Sequence, residues 1–175
     1  MKTIATIVGI LAVTLYISSY QFKNRKTIVA VYSTANLLYV LQYILLGAYT
    51  GMAMDTISFV SSVLARKRHT PFIQKYYKLV IAAMIISMIT AGALLYQNIF
   101  SIVAVCAAII ETSAIWCTEE RKIRILTLCG SPFWLTYNLA SCAYGSAIGN
   151  VINICSLLIA LFRYRNQNEE AKSAS

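Results

Sequence analysis

The length of its uncharged runs constrains this chain more than any other feature. Four stretches are almost free of charged residues: Thr3 to Phe22, Ile28 to Ala65, Leu79 to Cys117, and Ile125 to Phe162. An α-helix rises about 1.5 Å per residue and the hydrocarbon core of a bilayer is about 30 Å thick, so about 20 apolar residues make one crossing. The first run therefore predicts one span. The other three hold 38, 39 and 38 residues. As single helices they would be nearly twice too long, so each predicts a helical hairpin. One span and three hairpins make an all-α membrane protein of seven transmembrane helices. The composition agrees: charged residues are 12% of the chain, about half the share of a soluble domain.

Breakers mark the hairpin turns at Gly47-Ala48-Tyr49-Thr50-Gly51, Tyr96-Gln97-Asn98 and Ala143-Tyr144-Gly145-Ser146. No turn carries a charge. The charged connections (Lys23 to Lys26, Arg66 to Lys78, Glu119 to Arg124, and the tail from Arg163) all fall at the open ends of hairpins. Of 15 Lys and Arg, only Lys2 lies on the other face. The positive-inside rule then makes the open ends cytoplasmic, with the N-terminus out and the C-terminus in. Lys23, Arg25 and Lys26 outweigh Lys2, and nothing like A-x-A follows the first run, so it is expected to stay as an uncleaved anchor. The net charge of +9 sits in short clusters between apolar runs. That pattern suits anionic headgroups of the lipid bilayer and argues against nucleic acid as a partner.

Cys106, Cys117, Cys129, Cys142 and Cys155 form no C-x-x-C pair and have no nearby histidine, so they read as small helix-packing residues. His69 follows Arg66, Lys67 and Arg68, as a solvated loop residue would. No metal site, cofactor or catalytic residue is expected. No nucleophile and base recur at a productive spacing, so an enzyme is not expected either.

The first three and last three helices resemble each other. Matching Ala48-Tyr49 to Ala143-Tyr144 sets a shift of 95 residues, which lays Asp55 on Asn150, Ser58 on Asn153 and Tyr39 on Trp134. Two three-helix units separated by one helix face the same way, so the expected arrangement is 3+1+3. Its units are residues 1–67 and 98–165, with a loop and linker helix at 68–97 and a polar, frayed cytoplasmic tail at 166–175. Parallel repeats of this kind keep a substrate site between the units near the midplane.

Three segments carry a family resemblance: S-Y-Q-F-K-N-R-K (Ser19 to Lys26), L-L-G-A-Y-T-G (Leu45 to Gly51) and S-P-F-W-L-T-Y-N (Ser131 to Asn138). They resemble the YgjV-type bacterial inner membrane proteins over most of the chain. That family is in turn similar to the SWEET, SemiSWEET and PQ-loop transporters, whose triple-helix bundles surround a central pathway. The resemblance implies a multi-pass inner-membrane transporter. SWEET-type bundles kink at prolines in the first two helices of each unit, whereas this chain has only Pro71, in a loop, and Pro132, in the sixth helix.

Two acids, Asp55 and Glu111, lie inside the predicted spans. An acidic side chain at a helix centre costs about 2.5–3.5 kcal/mol on insertion scales, so each asks for a role. One is a proton-linked carboxyl or a substrate contact. The other is structural: Asp55 reaching the outer interface, and Glu111 linking to Arg121 or Arg124. No basic residue is expected inside a span. Asn36, Gln42, Ser58, Ser131, Asn138, Asn150 and Asn153, with Tyr39, Trp134 and Tyr137, complete a candidate site for a small polar solute. The bland alternative is interhelical hydrogen bonding, worth about 0.6 kcal/mol per contact. Trp134 and Tyr137 flank Pro132, whose missing N–H frees a carbonyl one turn earlier. Tyr16, Tyr20, Tyr76, Tyr77, Tyr96 and Tyr164 read as interfacial anchors, and Gly47, Gly51, Gly145 and Gly149 as turn residues. A solute facilitator or secondary transporter and a non-transporting scaffold are the two functions the sequence supports. The oligomeric state is open.

Overall fold

The structure is a computed structural model that describes the backbone of residues 2–173 and the side-chain surroundings of 3–162. Among the described residues it contains helices and no strands: α1 (Lys2–Ser19), α2 (Arg25–Leu46), α3 (Tyr49–Arg66), α4 (Pro71–Leu94), α5 (Ile99–Ile115), α6 (Glu120–Ala140) and α7 (Tyr144–Ser173). Three are long and apolar enough to cross a membrane: Arg25–Leu46, Pro71–Leu94 and Tyr144–Phe162. Thr3–Ser19 and Ile99–Ile115 are shorter apolar helices. α3 carries Asp55, Ser58, Ser61 and Ser62, and α6 begins with Glu120, Arg121, Lys122 and Arg124, which lowers the hydropathy of both.

Local chemistry sets the helix ends. The Asn24 side chain caps α2 by accepting from Lys26 N at 2.9 Å. Asn98 and Ser101 form a capping box at α5, satisfying backbone donors that the first turn leaves free. α4 starts with Pro71, where a missing N–H does no harm. α2 ends at Gly47 in the left-handed region, φ 69°, and α6 is followed by Cys142 in the same region, φ 56°. Behind each, a backbone N–H reaches back five residues: Ala48 N to Tyr43 O at 3.0 Å and Ala143 N to Asn138 O at 2.8 Å. The third turn is thus Ser141 to Ala143, and Tyr144, Gly145 and Ser146 already belong to α7.

Six helices close a ring. α1 packs on α2, α2 on α3, α3 on α5, α5 on α6, α6 on α7, and α7 back on α1. α4 lies outside, against α3 and α5, burying only Ile73, Met88 and Gly92. The charged connections gather at one end of the ring. There Arg25 donates to Cys117 O at 2.8 Å, Ile115 O at 3.0 Å and Ala65 O at 3.4 Å. Arg68 donates to Trp116 O, and Arg124 to Phe22 O at 3.1 Å and Tyr20 O at 3.4 Å. These carbonyls lie at the ends of α3 and α5 or in the segments just past α1 and α5, where intrahelical donors run out and the helix dipoles favour cations.

Several expectations change. Arg124 is 1% exposed within the second turn of α6, so a basic residue does enter a helix of the ring, where it donates to carbonyls of the connection that follows α1. Tyr16 and Tyr20 are buried among the helices and not at an interface. Tyr76 and Tyr96 are exposed and Tyr77 half-buried; the Tyr164 side chain lies outside the described residues. Cys106, Cys129, Cys142 and Cys155 are exposed, so they face outward and do not pack helices. Gly51 and Gly149 sit inside helices at close approaches. A Cβ on Gly51 would stand 2.8 Å from Tyr137 Cε1, and one on Gly149 would meet Val13. α7 runs on to Ser173, through the segment expected to fray; Glu169, Glu170, Ala171 and Lys172 are good helix formers.

Candidate functional site

Polar residues line the inside of the ring and apolar ones its outside. Ile7, Leu11, Leu41, Ile44, Leu79, Ile86, Ile99, Ile102, Ile148 and Ile159 are exposed, whereas Asn36, Gln42, Asp55, Ser58, Glu111, Ser131, Asn138, Asn150 and Asn153 are buried. Such an inversion suits a hydrocarbon solvent, where polar groups must find partners inside the protein.

At the centre is a cavity of about 20 Å³ lined by Tyr16, Asn36, Tyr39, Tyr43, Asp55, Glu111, Trp134, Asn138 and Asn150. That is room for a water-sized particle and little more. α1, α2, α3, α5, α6 and α7 each supply a wall residue. Of the residues singled out in the sequence, Asn36, Tyr39, Asp55, Glu111, Trp134, Asn138 and Asn150 meet here. Gln42, Ser58, Ser131, Tyr137 and Asn153 do not line the cavity. Gln42 Oε1 accepts from Ser146 Oγ at 2.6 Å, and the Tyr137 hydroxyl accepts from Gly51 N at 2.8 Å. Ser58 and Thr112 hydroxyls stand 3.4 Å apart, and Asn153 Nδ2 donates to Ser131 Oγ at 3.1 Å. These residues tie neighbouring helices around the cavity.

Tyr16 and Tyr43 are wall residues that sequence reasoning missed. Tyr16 donates to Glu111 Oε1 at 2.6 Å, and Tyr43 donates to Asn138 Oδ1 at 2.7 Å. Both pairs are separated by 95 residues, the shift read from the hairpin turns. Applying that shift to Glu111 and Asn138 would have found both tyrosines. The rings also form a continuous column. Tyr16 lies edge-on to Tyr39 at 6.0 Å, Tyr39 stacks on Tyr43 at 6.4 Å, and Tyr43 stacks on Trp134 at 6.4 Å. Such contacts stiffen the wall without filling it.

Not every buried polar atom in and around the cavity is satisfied. Asn36 Nδ2 and Asn150 Nδ2 are buried donors with no hydrogen-bond partner, and Asn153 Oδ1 is a buried acceptor in the same position. A buried donor left unpaired costs about 1–3 kcal/mol. Asn36 and Asn150 both line the cavity, so an acceptor bound there could satisfy them.

A ring of helices, apolar outside and polar within, defines a multi-pass helical membrane protein. Residues 3–168 match the family model Imp-YgjV, described as bacterial inner membrane protein, and the chain belongs to that family. The bacterial inner membrane is accordingly its location. No curated protein and no solved structure matches the chain.

Proposed function

We propose that this protein is a facilitator or secondary transporter for a small polar solute. The solute would bind in the central cavity and gain access to each side in turn as two three-helix units, α1 to α3 and α5 to α7, rock about it. The observation that carries this reading is a small cavity lined by polar and aromatic side chains, with unpartnered donors among them, walled by all six helices of the ring. Seven crossings with the charged end in the cytoplasm are part of the proposal. They are supported by the gathering of charged connections at one end of the ring, as the positive-inside rule requires.

The 3+1+3 reading draws support from contacts that recur under the shift of 95. Gln42 to Ser146 is the image of Tyr137 to Gly51, and Gln21 to Ser156 is the image of Trp116 to Ser61. Arg124 reaches carbonyls at positions 20 and 22 and Arg25 those at 115 and 117, so here the acceptors correspond under the shift although the donors do not. Two equivalent residues can touch each other only near a twofold axis. Tyr16–Glu111 and Tyr43–Asn138 both touch, at different depths, so they support an axis running through the cavity along the ring.

A second reading, a scaffold whose polar residues only join helices, is favoured by the seam contacts Ser33–Ser62 at 2.6 Å and Trp116–Ser61 at 2.8 Å. Purified protein in liposomes separates the two. Specific uptake that Asn150→Ala or Asn138→Ala reduces at unchanged stability supports transport. No uptake across a broad solute panel, with both substitutions affecting stability alone, would leave the scaffold.

A further inference from the structure

The cavity wall also bears on the charge of what it holds, an inference that rests on the solute-binding reading above. Asp55 and Glu111 both line it, and among the described residues no lysine, arginine or histidine does. An anion would face two carboxyls with no positive wall group, in a medium where such repulsion is poorly screened. A neutral solute would offer the carboxyls hydrogen bonds but no counter-charge if they ionise. An ammonium group gives both carboxyls a donor and a charge, and the faces of Tyr39, Tyr43 and Trp134 attract cations as well. Asn36 and Asn150, only 2% and 6% exposed, each offer an unpartnered N–H to the same space. Their need is an acceptor oxygen, which the carboxyls do not meet. The space as it stands holds about one water, so a ligand enters only as the wall residues draw apart, and its two groups can be separated by very few atoms.

We propose that the cavity selects a small protonated amine that carries a neighbouring oxygen, as in an amino alcohol. The ammonium sits between Asp55 and Glu111, and the oxygen accepts from Asn36 and Asn150.

Three near-isosteric probes differ in charge: ethanolamine as its cation, ethylene glycol and glycolate. With full-length protein in detergent at neutral pH and matched ionic strength, ethanolamine is expected to raise the melting temperature, and the other two are not. Asp55→Asn and Glu111→Gln should each weaken ethanolamine binding by about thirtyfold or more, the effect of removing one partner of a buried charge pair. Both variants should remain monodisperse with a measurable unliganded transition. Ser33→Ala, in the α2–α3 seam, should leave the response unchanged. Equal stabilisation by ethylene glycol would overturn the cation preference and leave the polar-solute reading standing, as would ethanolamine binding that survives both carboxyl substitutions. No stabilisation by these probes or by a wider panel of small polar solutes would remove both.

Discussion

The two ends of the helix ring are closed by different chemistry. At the charged end, Arg25, Arg68 and Arg124 donate to backbone carbonyls at or just past the ends of α1, α3 and α5. At the other end, neutral side chains do the work: Tyr43 with Asn138, Tyr137 with Gly51, and Ser146 with Gln42. Hydrogen bonds from charged donors contribute about 1.5–3 kcal/mol, against about 0.6 kcal/mol for neutral pairs between membrane helices. The charged end is therefore the fixed one. For a protein that admits a solute to the cavity, the turn end opens at the lower cost, and the cavity is reached first from the side opposite the positive charges.

The largest test of that asymmetry is Arg124→Ala. It strips two donors from the connection that follows α1 and leaves a void where a fully buried guanidinium stood. A loss of about 3 kcal/mol is expected, read as a fall in the unfolding midpoint in mixed micelles. Arg25 is half-buried, so Arg25→Ala should cost less. A change in Arg124→Ala no larger than that of a neutral turn-end substitution would erase the difference between the ends.

Gly51→Val probes the turn end by crowding it. The added atoms meet Tyr137 at 2.8–3.0 Å and Tyr43 at 3.1 Å, the two rings that close this end. Overpacking of this kind costs about 2 kcal/mol. It should also splay the rings, seen in a Trp116→Phe background as faster quenching of Trp134 fluorescence by a water-soluble quencher than in the same background with Gly51 intact. Loss of stability with Trp134 unchanged would mean that the strain escapes elsewhere and that Gly51 does not govern the closure.

Much of this was legible in the sequence because hydrocarbon imposes a simple code. Run lengths gave the helices, and Gly47 and the Asn98 turn marked ends that backbone sterics and capping enforce. The acids and amides were conspicuous at Asp55, Glu111 and Asn150 because polarity in an apolar run is costly wherever it points. What could not be read was direction. Gln42 and Asn138 look alike in a list of amides, yet one knits α2 to α7 while the other lines the cavity, and only helix rotation decides which. Tyrosines are harder still, since one side chain suits both an interface and a core. Tyr16 and Tyr20 lie near the end of α1, as anchors do, but their rings turn inward. Arg124 was hidden for a related reason: its long side chain reaches across to α1, a neighbour that sequence distance does not reveal.

The smallest effect is the sharpest probe of which end moves. Tyr43→Phe removes one neutral hydrogen bond, Tyr43 Oη to Asn138 Oδ1, and leaves the ring stack with Tyr39 and Trp134 in place. Stability should fall by about 0.6 kcal/mol, near the limit of a melting curve. The same energy spent on an opening equilibrium changes its constant roughly threefold, which is readily measured. In a background with the five cysteines replaced, a thiol at position 150 should react about threefold faster with a membrane-impermeant reagent added on the turn-end side, periplasmic in the proposed orientation. The matching substitution, Tyr16→Phe, frees Glu111 nearer the charged end, where the arginine clamps remain intact. Its effect on labelling from the charged-end side should be small, because a clamp of charged donors does not open when one neutral neighbour is lost. Equal acceleration from both sides would mean that the two closures differ in chemistry but not in strength.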